Sequence, residues 1–188
     1  MSQRFVRAAT VAAIAAVLGL SACSSSAPVR METTYDEAAN NAFIASNKAA
    51  IDKLLAGVNR ESLGQSPVLV ATVVNVNDLS RAAPLGRTLS EQYASHLVAS
   101  GVHVKELKLR GEVFVKEGAG ELLLSREIKD IAKSHNAAAV LVGTYSSAAS
   151  VTYVSLKLVR TEDGRILVGQ DYALPNDRDV QRLLAVPR

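Results

Sequence analysis

Tryptophan is absent from this chain, cysteine occurs once and histidine three times, and aromatic residues make up only 4% of the 188 positions. So few rings argue against a broad stacking platform for sugars or bases. A single cysteine has no partner for an internal disulfide, so an apolar core must hold the fold. The histidines, His96, His103 and His135, fall in no metal-ligand spacing such as two His four residues apart around a Glu. No metal and no other cofactor is expected. No run of five or six like charges occurs, which argues against nucleic acid as a partner. The basic excess is also smaller than it looks. Without Arg4 and Arg7 of the leading segment, the 21 basic residues become 19 against 18 acidic ones.

Enzyme signatures are equally scarce. No Gly-x-Ser-x-Gly elbow presents a serine nucleophile, and Ser125 is explained as a helix cap. Gly118-Ala119-Gly120 lacks the spaced glycines and the lysine of a phosphate loop. Carboxylates are scattered, with no pair that the sequence brings face to face for acid–base work. The expectation is a protein that is not an enzyme and takes no small-molecule substrate.

What the chain does have begins at its start. Arg4 and Arg7 precede residues 8–20, which are apolar or small, in the layout of an export signal. A permanent spanning helix needs about 20 apolar residues, and this run is cut by Ser21 and then by Ser24, Ser25 and Ser26. It closes on Leu20-Ser21-Ala22-Cys23, which resembles the lipobox of bacterial lipoproteins. That resemblance implies removal of residues 1–22 and lipidation of Cys23. An ordinary cleaved signal would leave the lone cysteine of an exported chain without a purpose. Several acyl chains give stable anchoring where one binds only marginally, so the membrane is the first partner expected. Ser24 stands where inner-membrane retention usually shows Asp, which favours the outer membrane, with the domain facing the periplasm.

Residues 23–35 then read as a lipidated cysteine with a flexible tether, small and polar and broken by Pro28. An Ala-rich helix is predicted over 36–57, with Gly57 as its stop. Residues 68–74, a run rich in apolar and β-branched residues, predict a strand buried on both faces. Pro84 opens a second helix in which Leu85, Leu89, Tyr93 and Leu97 recur, and Gly101 ends it. A kinked strand is predicted over 102–110 and a short one over 112–116. A third helix follows Ser125 and ends at Asn136, leading into a second buried strand over 138–145. Residues 151–160 alternate as a strand, Asp163-Gly164 suggests a tight primed turn, and 166–174 return as its partner. Residues 176–188 form a short C-terminal helix and tail. The order predicts an α/β fold, a single domain with a mixed β-sheet flanked by helices, parallel at first and antiparallel at the end.

Three short stretches narrow the reading. Pro84-Leu85-Gly86-Arg87 within 80–87, Leu124-Ser125-Arg126-Glu127, and Leu141-Val142-Gly143-Thr144-Tyr145 stand in an order and spacing that resemble the FlgO domain family of envelope lipoproteins. The resemblance covers 67–175 and implies an outer-membrane lipoprotein needed for motility, working beside flagellar basal-body proteins. It also implies a fold similar to the TolB amino-terminal domain or to CsgG-like domains. A ring-forming oligomer is compatible with such families, although nothing in these residues demands one. The Ala-rich helix at 36–57 has no obvious place in the family pattern.

Arg87, Arg126 and Tyr145 lie at the ends of elements, where a partner-binding surface would form. The plainer account makes the two arginines exposed ion pairs of little energetic worth and Tyr145 the end of a core strand. Two functions from different classes compete with the flagellar one. A general binding lipoprotein would recruit a periplasmic partner, such as an enzyme of peptidoglycan synthesis or a curli-type export component. An envelope enzyme would have to rely on Ser125 or a histidine.

Overall fold

The computed structural model describes residues 32–79, 83–106, 114–117, 121–124 and 126–185. The export segment, Cys23, most of the tether, the Gly118–Gly120 stretch, Ser125 and the predicted strand end at 107–110 lie outside the described residues. The chain divides into two compact units, Met1–Ala38 and Ala39–Arg188. In the first, Thr34 and Glu37 form a reciprocal capping box. The Glu37 carboxylate accepts from the Thr34 N–H at 2.9 Å, and Thr34 Oγ1 accepts from the Glu37 N–H at 3.2 Å. This opens the short helix α1, Tyr35–Ala39.

The helix predicted over 36–57 is therefore two. Asn41 is extended, and its side chain accepts from the N–H groups of Phe43 and Ile44, so it caps a new helix, α2, Ala42–Ala56. Adjacent asparagines at 40 and 41 favour a cap over a continued turn, because their side chains compete for backbone donors. Ala50, Ile51, Leu54 and Leu55 of α2 are buried. A 3₁₀ turn, Arg60–Leu63, then leads to the first strand.

The six-stranded sheet has the order β3-β1-β6-β7-β8, with β2 beside β6. Its strands are β1, Val68–Val70; β2, Val74–Asn75; β3, Val104–Glu106; β6, Ala139–Ser147; β7, Val151–Arg160; and β8, Ile166–Pro175. β1 runs parallel to β3 and β6, and β2 parallel to β6. β6, β7 and β8 are antiparallel. The α3 helix, Pro84–Ala99, crosses from β2 to β3. Helix α4, Arg126–Ser134, precedes β6, and α5, Arg178–Leu184, capped by Asp177, closes the described chain. A separate two-stranded ladder joins β4, Phe114–Glu117, to β5, Glu121–Leu124. The second of these was not foreseen, because Leu122-Leu123-Leu124 has no alternation to mark it as a strand.

Residues 68–74 are not one strand, and the reason organises the fold. Val70 pairs with Leu141 and Val74 with Thr144, so four steps on one strand meet three on the other. One extra residue sits between β1 and β2, and every side chain beyond it changes face. Val68, Val70 and Val73 pack in one cluster with Leu85, Leu89, Leu141, Leu156 and Leu158. Leu69, Ala71 and Val74 pack in the other with Ala132, Val140, Val142 and Val159. Helices α2 and α3 cover the first face and α4 the second.

The bulge removes the Val73 N–H from the ladder, and Ser90 Oγ of α3 accepts it at 2.9 Å while donating to the Gly86 carbonyl at 2.7 Å. Helix and strand come so close that a Cβ on Gly86 would lie 1.9 Å from the Val73 carbonyl oxygen. Across the sheet, a Cβ on Gly143 would meet Leu156 Cδ2 at 2.9 Å and Val73 Cγ2 at 3.1 Å.

The β7–β8 connection also differs from the primed turn expected of Asp163-Gly164. A primed turn of that type needs positive φ at both centres, and of the two only Gly164 has it, at 76°. Asp163 instead accepts the Arg165 N–H on its side chain at 3.0 Å, within a longer loop.

Gly86→Ala should cost about 1–3 kcal/mol or more, because backbone has to move. Ser90→Ala should cost about 1–3 kcal/mol by orphaning the Val73 N–H. Urea unfolding checks both: the midpoint falls and the slope is unchanged.

Candidate functional site

The two sheet faces are unequally covered. On the α4 side, apolar packing reaches Val142 and Val159, and beyond it β6, β7 and β8 present Thr144, Ser155 and Asp171 in one cross-strand row and Ser146 and Tyr153 in the next. Val76, just after β2, stands beside them, tied through its N–H to the Tyr145 carbonyl at 3.0 Å. Together they line an open groove of about 290 Å³. Its rims are apolar, Tyr153 being 58% and Val76 42% exposed. Its floor carries small hydroxyl side chains, and Asp171 supplies a carboxylate.

Behind the groove, on the covered face, a buried polar chain links three elements. The Tyr93 hydroxyl of α3 donates to Tyr172 of β8, Tyr172 donates to Asn47 Oδ1 of α2 at 2.5 Å, and Asn47 Nδ2 donates to Gln92 Oε1 of α3 at 2.6 Å. Asn47 and Tyr93 are fully buried. Burial, first of all, raises the pKa of both phenols, so neither serves as a base near neutrality. Sequence reading missed this chain, although Asn47 carried a signal. It lies on the same helical stripe as Ala50, Ile51 and Leu54, and a polar residue there needs a buried partner.

The candidates named from sequence are dispersed. Arg87 is exposed in the first turn of α3, and Arg126 is the first residue of α4, on the other side of the sheet. Tyr145 is one of the residues lining the groove; its ring is buried near the site a Gly86 Cβ would take, with its phenol hydrogen-bonded to Asn75 and its pKa raised chiefly by burial. Cys23 lies outside the described residues. His96 faces Lys48 and Asp52 of α2, and its Nε2 is buried with no hydrogen-bond partner among the described residues. Desolvation, aided by Lys48 and opposed by Asp52, lowers its pKa. His103 is exposed, its Nδ1 3.4 Å from the Gln65 carbonyl. Among the described residues, no three His, Cys, Asp or Glu converge on a metal position, and no helix is long and apolar enough to cross a membrane.

The family model of the FlgO protein matches residues 48–179. The chain belongs to the FlgO protein family. Its match begins inside α2, so the later part of the helix predicted over 36–57 falls within the FlgO region and residues 36–47 precede it. No curated protein matches the sequence. Among solved structures, this FlgO-family chain is similar to the LpoB C-terminal domain from Escherichia coli, at 16% identity and a TM-score of 0.50, covering 71% of this chain and 98% of that one. The same domain from Salmonella enterica matches at 14% identity and a TM-score of 0.49, again covering 71% and 98%. Lipoprotein GNA1162 from Neisseria meningitidis matches at 16% and 0.42, covering 61% and 83%. At these identities the first likeness speaks for the α/β fold with its mixed sheet and for nothing further.

Two of the FlgO motifs meet in space. Gly86 of the first and Gly143 of the third both press on Val73, one on its backbone and one on its side chain, and Tyr145 adjoins Gly86. These motifs hold the bulge and the helix above it.

Tyr172→Phe should cost about 1–3 kcal/mol, more than Tyr93→Phe, because it strands both the Tyr93 hydroxyl and Asn47 Oδ1. Denaturant midpoints of the two variants check the order. His96, with its pKa lowered in the fold, contributes stability that is complete above its unfolded pKa of about 6.5 and is lost as pH falls through the folded value. Unfolding measured from pH 8 to 5 should show that slope in wild type, and His96→Gln should flatten it.

Proposed function

We propose that this chain is a lipid-anchored, non-enzymatic protein of the outer membrane with a structural or assembly role in the cell envelope, beside flagellar basal-body proteins. Family membership over residues 48–179 carries the reading. Residues 1–22 are the export signal, Cys23 bears the lipid, residues 23–35 are the tether, and the folded domain faces the periplasm. The lipobox Leu20-Ser21-Ala22-Cys23 supports the anchor. The groove supports a binding role, since it offers hydroxyls, one carboxylate and apolar rims to a partner. Arg87 and Arg126, at the openings of α3 and α4, are the basic positions offered to a protein partner. The groove also favours a second reading, in which the anchored domain recruits a periplasmic enzyme or export component.

Deleting the gene in its host should shrink swimming haloes, and the full chain should restore them. Cys23→Ala should fail to restore them and should lose both clickable-palmitate labelling and the outer-membrane fraction. A deletion strain that swims normally on intact filaments removes the flagellar role and leaves the recruiting one. Wild type that takes no label and stays soluble in the periplasm removes the anchor.

A further inference from the structure

The groove across β6, β7 and β8 has a one-sided chemistry. β6 and β7 are interior strands, so their N–H and C=O groups are taken up by the ladders in the plane of the sheet, and a ligand lying on the face meets side chains alone. Those side chains end in oxygen. Thr144 and Ser155 stand in line with Asp171, and Ser146 pairs with Tyr153 in the next row. None of these side chains makes a hydrogen bond or ion pair with another described residue. From Thr144 to Asp171 the floor crosses two inter-strand spacings, roughly 10 Å.

A covering partner has to answer that lining. An apolar helix or strand would shut free hydroxyls and a carboxylate away from water without replacing their hydrogen bonds, which costs affinity. A phosphate or carboxylate ligand would meet Asp171, the one charged residue of the lining, as a like charge. A basic peptide would answer Asp171 and leave the hydroxyl rows unmatched. The lining asks for an uncharged molecule with closely spaced hydroxyls on its edges and an apolar face.

We propose that the groove binds an uncharged pyranose oligosaccharide. The inference deepens the binding role and the periplasmic orientation proposed above and rests on them. The Asp171 carboxylate, an acceptor only, takes donors from two neighbouring sugar hydroxyls. Thr144, Ser146 and Ser155 both donate and accept, as sugar hydroxyls do. Tyr153, 58% exposed, lays its ring against the C–H face of one sugar, with Val76 at the other rim. One ring makes no broad platform, so the hydroxyl rows carry the specificity, and the span of the floor suits two sugar rings.

Calorimetric titration of the full lipidated chain in nanodiscs tests it, with two uncharged probes, the β-linked tetramer of N-acetylglucosamine and the α-linked tetramer of glucose. Saturable binding of either, unchanged by high salt, is the expected result. Asp171→Asn should weaken it roughly tenfold and Tyr153→Ala by a similar factor, with Tyr153→Phe close to wild type. Glu91→Gln, which removes an exposed carboxylate from α3 on the other side of the sheet, should leave it unchanged. Both groove positions are exposed, so unaltered urea midpoints separate lost binding from lost folding. The inference is overturned if neither tetramer binds, or if either binds equally well to Asp171→Asn and Tyr153→Ala. It is also overturned if tetralysine binds in their place and is released by high salt, which assigns the groove to a basic protein partner and keeps its binding role. The anchor and the flagellar role are decided separately, by palmitate label and swimming.

Discussion

The contact between the first turn of α3 and the extra residue of the β1–β2 strand governs the rest of the molecule. An inserted residue in a central strand would ordinarily leave a buried donor unpaired and reverse a hydrophobic pattern. Here the unbroken run of apolar residues from 68 to 71, resuming at Val73 and Val74, makes the reversal harmless, because both faces are covered. Ser90 answers the donor, and only glycine at 86 lets the helix come near enough for that answer. Gly143 makes room on the neighbouring strand for the Val73 side chain that the bulge redirects. The helix, the bulge and the central strand therefore specify one another.

A second device fixes the layer above. Tyr93, Tyr172, Asn47 and Gln92 hand a donor from one residue to the next, leaving α3, passing through β8 and α2, and returning to α3. Such a buried chain stabilises only when every member is satisfied, and it specifies one arrangement of its elements where apolar packing alone tolerates several. The groove lies on the reverse of the same part of the sheet, so its rows of hydroxyl side chains stand on a rigid support.

Much of this architecture was legible in the residues. Pro84, the Leu85–Leu97 repeat and Gly101 mark α3 because each is local chemistry: a fixed φ at the start, a stripe at helical spacing, and a positive φ of 81° at the stop. The parallel-then-antiparallel sheet followed from the order of helices and strands, with a closing hairpin at the end. The division of the first helix was readable in principle, since Thr34, Glu37 and Asn41 are caps by type, yet the alanines around them match either account. The strand break at 71–73 was not readable. Apolar residues on both sides of the insertion erase the alternation that would betray a phase change, and the Ser90 bond spans 17 residues. The groove escaped as well, since its members come from β6, β7, β8 and the residue after β2, and only Tyr153, a ring on the polar side of β7, stands out of pattern.

The closed circuit of the buried hydroxyls and amides has a consequence for motion. No one of α2, α3 and β8 can lift from its neighbours without breaking the circuit, so the three should exchange their amide hydrogens with solvent as a single cooperative block. Helix α4 belongs to the other cluster and shares none of these bonds, so it is free to open on its own and at lower free energy. The domain is thus graded in permanence, with a slow layer around Tyr172 and a quick layer on the opposite face.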